Sequence, residues 1–216
     1  MQRREPLVLD EYYHIYNRGV EKRQIFSSAR DYSRFLDSLV NFNTNLPSWK
    51  VGGPAPKIED GPRIIKPEEK LVDIVSYCLN PNHFHLILKQ RKDQGITTFI
   101  KKVCTGYAMY FNKKYDRSGV LFQGRFKSVL ITSNEQLLYV SAYVNCNSEI
   151  HELSQAENYP WSSFRVYLGE KDRIGLEKEI VLGQFSDPAE YKKYAVEQIK
   201  IIKENKKDRE ADVELE

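Results

Sequence analysis

The tripeptide His83-Phe84-His85 is the part of this sequence that is best suited to chemistry. Residues two apart in a β-strand point to the same side, so both imidazoles face one side while Phe84 faces the other. Two neighbouring imidazoles supply two ligands of a metal site. The chain has only four histidines, so the pairing is notable, although a surface pair beside a turn would give the same pattern.

A helix further along the chain offers a third ligand and a nucleophile. Tyr139, Tyr143 and Asn147 follow an i, i+4, i+8 spacing, which places them along one face of a helix. If that face meets the histidines, the amide oxygen of Asn147 completes a His-His-Asn site beside Tyr143. A metal there would polarise a phosphate, and the phenol would attack phosphorus to form a covalent phosphotyrosine. With 14 tyrosines in the chain, packing is the ordinary role of any one of them.

The elements that must position these residues follow the order β-α-β-β-α-β-α. Hydrophobic periodicity and turn residues predict strands at 12–17, 70–79, 83–89 and 125–131, and helices at 28–42, 96–115 and 133–147. Without the final helix, this order is the split β-α-β pattern of a ferredoxin-like α+β sheet with helices packed on one face.

One catalytic domain is expected over residues 1–170. It contains a segment rich in Pro, Gly and Asn at 43–67, which is predicted to be a mobile loop. Residues 171–216 are predicted to form a charged helical C-terminal extension, whose end is expected to be disordered.

Composition excludes several classes of protein. Hydrophobic residues make up 41% and charged residues 29% of 216 residues, as in soluble globular proteins. No segment approaches the roughly 18 consecutive apolar residues of a membrane helix, and no secretion signal is recognisable. Three widely spaced cysteines argue against a disulfide framework and a zinc ribbon, so a cytoplasmic location is expected.

Basic residues are concentrated in one stretch, although the net charge is only +3. Between 101 and 127 a single acid, Asp116, faces seven basic residues with aromatics interleaved among them. Such a mixture suits a phosphate backbone and stacked bases, but a solvated helix face with a buried aromatic stripe is an equal alternative. The basic residues are Lys101, Lys102, Lys113, Lys114, Arg117, Arg125 and Lys127.

Four ordered motifs resemble those of the single-tyrosine HUH transposases, and most closely the REP-associated tyrosine transposases. The sequence YCLNPNHFHL at 77–86 is similar to the signature YCLMPNHFHLL of that family. The others are Asn17-Arg18-Gly19 followed by Ile25-Phe26, GVLFQGRFK at 119–127, which resembles GHLFQGRFK, and PWSSF at 160–164, which resembles PWSSY. The resemblance covers roughly residues 10 to 170.

The resemblance implies a role for each site residue. His83 and His85 would bind Mg²⁺ or Mn²⁺. The helix motif RYIHLNP aligns with residues 142–148, so Tyr143 takes the position of the nucleophile and Asn147 that of the third metal ligand, with Tyr139 as the reserve nucleophile. Two departures stand out, because Asn80 replaces the usual Met and Ser148 replaces the usual Pro.

The function implied is that of a metal-dependent single-stranded DNA transposase and endonuclease. It would nick and rejoin hairpin-associated DNA through a 5′-phosphotyrosine, as a monomer or homodimer associated with the nucleoid and with no membrane partner. DNA contact is expected from Arg18 and the seven basic residues between 101 and 127, with Arg125 and Lys127 foremost.

Two alternatives stay open at the level of sequence. A transposase-derived protein could bind structured nucleic acid without cutting it, although binding has no need of the complete His83, His85, Tyr143 and Asn147 set. An unrelated zinc hydrolase would need a third His, Cys or carboxylate near the histidine pair, for which Cys78 is the candidate.

Overall fold

A four-stranded antiparallel sheet is the framework of the protein. The computed structural model describes residues 6–46 and 67–214. Its strands are β1 (Tyr12–Arg18), β2 (Val72–Asn80), β3 (His83–Gln90) and β4 (Lys127–Ile131), in the order β2-β3-β1-β4. All neighbouring strands are antiparallel. This is the sheet of a split β-α-β fold, so the predicted ferredoxin-like α+β class is confirmed.

Three longer helices follow the predicted order, and a fourth comes from the C-terminal part of the chain. The helices are α1 (Ala29–Asn41), α2 (Gly95–Lys114), α3 (Asn134–Asn145), α4 (Asn147–Ile150), α5 (Phe164–Tyr167), α6 (Glu179–Leu182) and α7 (Pro188–Glu214). The helix predicted over 133–147 is interrupted at Cys146, where φ is −105° and ψ is 15°. Tyr143 therefore lies in the last turn of α3, and Asn147 begins α4.

Helices cover both faces of the sheet, and not only the one face that the sequence predicted. Phe84 and Leu86 of β3 pack with α1 and α2 on one face, as expected for the two crossover helices. Ile87 of β3 points to the opposite face, which is covered by α3 and α7. The physical reason lies in β2, whose residues are buried along almost its whole length. A strand with apolar side chains on both sides must be covered on both sides.

The C-terminal helix α7 packs against the helix that carries Tyr143. Its residues Tyr191, Ala195 and Ile199 are buried in the same cluster as Leu137 and Ala142 of α3. The segment at 43–67, predicted to be a mobile loop, lies outside the described residues except for its ends, as do residues 215–216. Within the described part of the chain, no helix has both the length and the apolar content needed to cross a bilayer.

A buried carboxylate joins α1 to the end of α2. Asp31 is fully buried and accepts hydrogen bonds from Lys114 Nζ at 2.6 Å, Tyr115 Oη at 2.8 Å and Tyr110 Oη at 2.9 Å. Burial raises the pKa of Asp31, but the hydrogen bonds, first among them that from Lys114, outweigh it and lower the pKa to about 2. The ionised carboxylate is therefore the form that the fold stabilises.

We predict that Asp31→Asn destabilises the protein by roughly 2 kcal/mol at pH 7, because Lys114 loses its charged partner. The folded pKa lies below the unfolded value of about 3.9. The stabilisation is therefore present above about pH 4 and is lost as the pH falls towards 2. Urea unfolding of both proteins between pH 7 and pH 2.5 measures this difference.

Asp10→Asn is the control, because the Asp10 side chain is 61% exposed and its change should alter stability by less than about 0.5 kcal/mol. A difference between wild type and Asp31→Asn that stays constant down to pH 2.5 would show that the ionised carboxylate is not the stabilising form.

Candidate active site

The sheet gathers histidines from two adjacent strands. Tyr16 of β1 pairs with His85 of β3, and Arg18 pairs with His83, so His14 lies diagonally across from His85 on the same face. The His14 and His85 rings are stacked with centroids 5.0 Å apart, and His14 Nε2 lies 2.8 Å from His85 Nδ1. His14 was not singled out from the sequence, although its alternation with the buried Tyr13 and Ile15 places it on this face.

The fourth histidine of the chain also lies at this site. The His151 ring, just after α4, contacts that of His83 with centroids 4.8 Å apart. All four histidines of the sequence therefore meet in one region. Nothing in the local pattern around His151 indicated this, because the contact depends on how α4 is placed against β3.

Asn147 lies beside His83, although the helix is interrupted between Tyr143 and Asn147. Its Oδ1 is 3.3 Å from His83 Nε2. Asn80, the last residue of β2, joins them, because its Nδ2 lies 2.8 Å from His83 Nε2 and 2.6 Å from Asn147 Oδ1. Asn80 and Asn147 are both fully buried. The site thus contains a second amide that was noted in the sequence only as a departure from a motif.

The hydrogen bonds of His83 decide which of its nitrogens carries the proton. Nδ1 lies 2.6 Å from Asn82 Oδ1, and an amide oxygen only accepts, so Nδ1 is the donor. In the neutral ring Nε2 then bears a lone pair. This lone pair and that of Asn147 Oδ1 point into the same small region.

Burial keeps the imidazoles neutral. It lowers the pKa of His14 and of His83 to about 4, and it lowers the pKa of His85 well below the ordinary value. A neutral imidazole is the form that binds metal ions. The rings are therefore ready to act as ligands at neutral pH without first losing a proton.

Tyr143 packs edge-on against the histidines within the same chain. Its ring centroid lies 5.6 Å from that of His85 and 5.8 Å from that of His14. Burial raises the pKa of the Tyr143 phenol, while the neighbouring Asn147 side chain lowers it. Only the amide nitrogen can donate to a phenolate. The oxygen of Asn147 lies beside His83, so its nitrogen is the atom that could donate to Tyr143.

The Asn147 nitrogen has no hydrogen-bond partner among the described residues. A buried amino group without a partner costs about 1–3 kcal/mol, and formation of the Tyr143 phenolate would recover part of this. The reserve nucleophile Tyr139, one turn upstream, is 41% exposed.

A pocket of about 480 Å³ opens beside His83. Three of the predicted DNA-contact residues, Arg18, Arg125 and Lys127, line it. Lys127 Nζ lies 5.8 Å from the centroid of the Tyr16 ring, and Arg18 bonds to Gln123. Residues further along the wall are Asn17, Lys22, Asn82 and His151. A positively charged pocket next to the histidines is suited to hold phosphate groups.

The remaining predicted DNA-contact residues lie elsewhere. Four of them are on α2, which packs on the Phe84 face of the sheet, opposite the histidines. Lys102 donates to the carbonyls of Thr44 and Leu46, and Lys114 binds Asp31. Lys101 and Lys113 are exposed, and Arg117, just beyond the helix, donates to Asn112. The basic stretch in the sequence is therefore divided between two sides of the molecule.

The donor set fits a divalent cation. An octahedral ion with ligands at about 2.1 Å places adjacent donor atoms roughly 3 Å apart, close to the spacing of His83 Nε2 and Asn147 Oδ1. His85 joins them through Nε2 if its Nδ1–H donates to His14. No three His, Cys, Asp or Glu side chains within residues 6–46 and 67–214 are arranged to hold a metal ion. The site thus depends on amide oxygen.

A zinc site completed by Cys78 is disfavoured by the same geometry. Cys78 lies opposite His85 in the β2–β3 register and is fully buried. Burial raises the pKa of its thiol to about 12, so the thiolate that zinc requires is not the stable form.

Comparison with known proteins supports the transposase resemblance. Residues 64–147 match the family model described as Transposase IS200 like, a span that includes His83, His85, Tyr143 and Asn147. A solved structure, described as a REP-associated tyrosine transposase bound to a REP hairpin, has the same fold. The TM-score is 0.55 and the identity 14%, over 79% of this chain and 86% of that chain. No curated protein matches the sequence.

The predicted resemblance to the single-tyrosine transposase superfamily is therefore confirmed. The matched family is one of DNA-processing enzymes. The solved structure, at 14% identity, shows that the fold is shared.

We predict that His14 and His83 stay neutral at pH 6 in the metal-free protein, with the proton of His83 on Nδ1. Because burial lowers both pKa values to about 4, these rings take up a proton only well below the ordinary value of about 6.5. Long-range ¹H–¹⁵N NMR during a pH titration measures both properties. The urea-unfolded chain, in which all rings should titrate near 6.5, is the control, and a folded His83 that titrates with them would contradict the prediction.

Proposed function

We propose that this chain is a transposase that nicks and rejoins single-stranded DNA through Tyr143, with Mg²⁺ or Mn²⁺ held by His83, His85 and Asn147. The observation that carries the proposal is the meeting of these four residues within a single chain. The Tyr143 ring contacts that of His85, and the Asn147 side chain lies beside His83 and close enough to Tyr143 to lower the pKa of its phenol. A cleavage site that is complete in one chain needs no tyrosine from a partner.

The chain's own residues prepare the attack in three ways. His83 and His85 stay neutral and face the same side of β3, so they can hold a cation near the phenol. The bound ion would supply positive charge to the scissile phosphate and to the phenolate. Asn147 Nδ2 donates to the phenolate as it forms, and the packing of Tyr143 against His14 and His85 fixes the direction of its hydroxyl.

Cleavage then balances as a single displacement at phosphorus. The phenol loses its proton, a bond forms between Tyr143 Oη and phosphorus, and the bond between phosphorus and the 3′ oxygen breaks. The 3′ oxygen takes up a proton and leaves as a free hydroxyl, while the 5′ phosphate stays on the tyrosine. The reverse attack by the same or another 3′ hydroxyl restores a phosphodiester and frees the phenol, so joining requires no ATP.

The basic pocket gives the DNA strand a path to Tyr143. Arg18, Arg125 and Lys127 would neutralise phosphates beside the scissile one, and Tyr16 offers an aromatic face for a base. The solved structure with the same fold is described as bound to a REP hairpin. Hairpin-bearing single-stranded DNA is therefore the substrate we propose for this chain.

Replacement of Tyr143 by Phe should abolish the covalent adduct between the protein and a hairpin-bearing oligonucleotide in the presence of Mn²⁺. The loss should exceed about a thousandfold, because the nucleophilic oxygen itself is removed. Denaturing gel electrophoresis with a label at the 3′ end of the oligonucleotide, which stays with the fragment bound to the tyrosine, measures the adduct.

Tyr139→Phe is the matched control and should keep the adduct, since Tyr139 is an exposed residue one turn away. An adduct that persists in Tyr143→Phe and disappears in Tyr139→Phe would move the nucleophile to Tyr139. Tight binding by the wild type without any adduct, across Mg²⁺ and Mn²⁺ and several hairpins, would favour a binding protein that no longer cuts.

Replacement of Lys127 by Ala should weaken DNA binding and reduce its salt dependence. For each phosphate of a single strand that the protein no longer neutralises, the slope of log affinity against log salt becomes shallower by roughly 0.7. Fluorescence anisotropy at several salt concentrations gives both quantities. Lys101→Ala is the control, since this exposed lysine lies on α2, on the opposite side of the sheet. An equal weakening of binding in the two variants would place the DNA outside the pocket.

A further inference from the structure

Asn80 occupies the centre of the candidate metal site. It ends β2 and is fully buried, and its amino group is shared between His83 Nε2 at 2.8 Å and Asn147 Oδ1 at 2.6 Å. Among the residues that the structure describes, its own Oδ1 accepts only a weak hydrogen bond, from the Cys78 thiol at 3.5 Å. The motif that this segment resembles has Met at this position, and a thioether could donate to neither His83 nor Asn147.

The place of the Asn80 amino group is the place that a cation would take. His83 Nε2 and Asn147 Oδ1 both present lone pairs, and two lone pairs 3.3 Å apart need a positive partner between them. Without a metal, the two N–H bonds of Asn80 serve both. An amide nitrogen has no lone pair to offer a metal ion, so an arriving ion and this amino group cannot share the position.

We infer that Asn80 is a fourth protein ligand of the metal, binding it through Oδ1 after its amide rotates. The inference rests on the proposed function, because it concerns the ion that His83, His85 and Asn147 would hold. Oxygen is the ligand that Mg²⁺ and Mn²⁺ prefer, and a second amide oxygen compensates for the lack of a carboxylate in the donor set.

The surroundings of Asn80 preserve one of its contacts through this rotation. The Cys78 sulfur donates weakly to Oδ1 in the metal-free protein and can accept weakly from Nδ2 after the rotation, so this contact exists in both states. The amino group gives up two hydrogen bonds, but their acceptors, His83 Nε2 and Asn147 Oδ1, gain the ion instead. No buried lone pair of the site is left without a partner in either state.

The opposite role would be that of an internal competitor for the metal. If Asn80 only filled the site until an ion displaced it, its removal would strengthen metal binding. The two roles therefore predict opposite changes in Mn²⁺ affinity when Asn80 is replaced by an apolar residue. This affinity can be measured without any assay of DNA cleavage.

The test is a Mn²⁺ titration of the full-length, metal-free chain, in which electron paramagnetic resonance measures the concentration of free Mn²⁺. Asn80→Leu should raise the Kd for Mn²⁺ by about tenfold or more, as removal of metal-site groups commonly does. Asn80→Asp should lower the Kd, because a carboxylate oxygen binds Mn²⁺ more strongly than an amide oxygen. Asn112→Leu, the same change on α2 away from the site, should leave the Kd unchanged.

Unchanged or tighter binding by Asn80→Leu would overturn the inference, and so would weaker binding by a folded Asn80→Asp. Circular dichroism of each variant reports whether it folds, and Asn80→Met replaces Asn80→Leu if the latter does not. Failure of the proposed function would give a different result, because the wild type itself would then bind no Mn²⁺ and form no adduct. That result would also contradict the role inferred for Asn80.

Discussion

The alternation of side chains along β3 is the constraint on which the rest of the structure depends. Phe84, Leu86 and Leu88 enter the core formed with α1 and α2, which leaves His83 and His85 on the opposite face. A slip of one residue in the register would exchange the two sets and bury the imidazoles among apolar groups. The burial of the apolar residues of β3 therefore fixes where the histidines point.

The tyrosine helix is fixed to the sheet by a buried polar network. Asn145, in the last turn of α3, donates to Tyr191 of α7 and accepts from Ser163. Ser163 also donates its backbone N–H to the carbonyl of Tyr77 on β2. The PWSSF segment and the C-terminal helix thus act together on α3. They hold Tyr143 at its distance from the histidines, which a helix packed by apolar contacts alone would leave less defined.

Local patterns in the sequence were sufficient for the strands and the longer helices, and they singled out His83, His85, Tyr143 and Asn147, which lie close together in the structure. Each of these follows from a spacing within one element or from a motif. His14, His151 and Asn80 reach the site through pairing and packing between distant segments, which no local pattern encodes. The division of the basic stretch has a similar cause, because α2 and β4 are neighbours in sequence yet present their cations on different sides.

Lys114 shows that a basic residue in a DNA-binding pattern can serve the stability of the fold. In the sequence it belongs to a basic stretch suited to DNA, but Asp31 is fully buried and needs a cation, and Lys114 is the one that reaches it. Sequence composition counts such a residue as available for a ligand. Only the position of its partner shows that it is already used for the stability of α1 and α2.

The charge of the site affects how strongly the metal ion is bound before and after DNA binds. The groups around Tyr143 are imidazoles and amides, which carry no charge while the pKa values of the histidines stay low. Such a donor set holds a divalent cation less strongly than carboxylates would. The adjacent pocket is lined by Arg18, Arg125 and Lys127, which attract phosphate. On the proposed function, the scissile phosphate brings the negative charge that the protein ligands lack, so the ion is held most firmly when the DNA strand is in place.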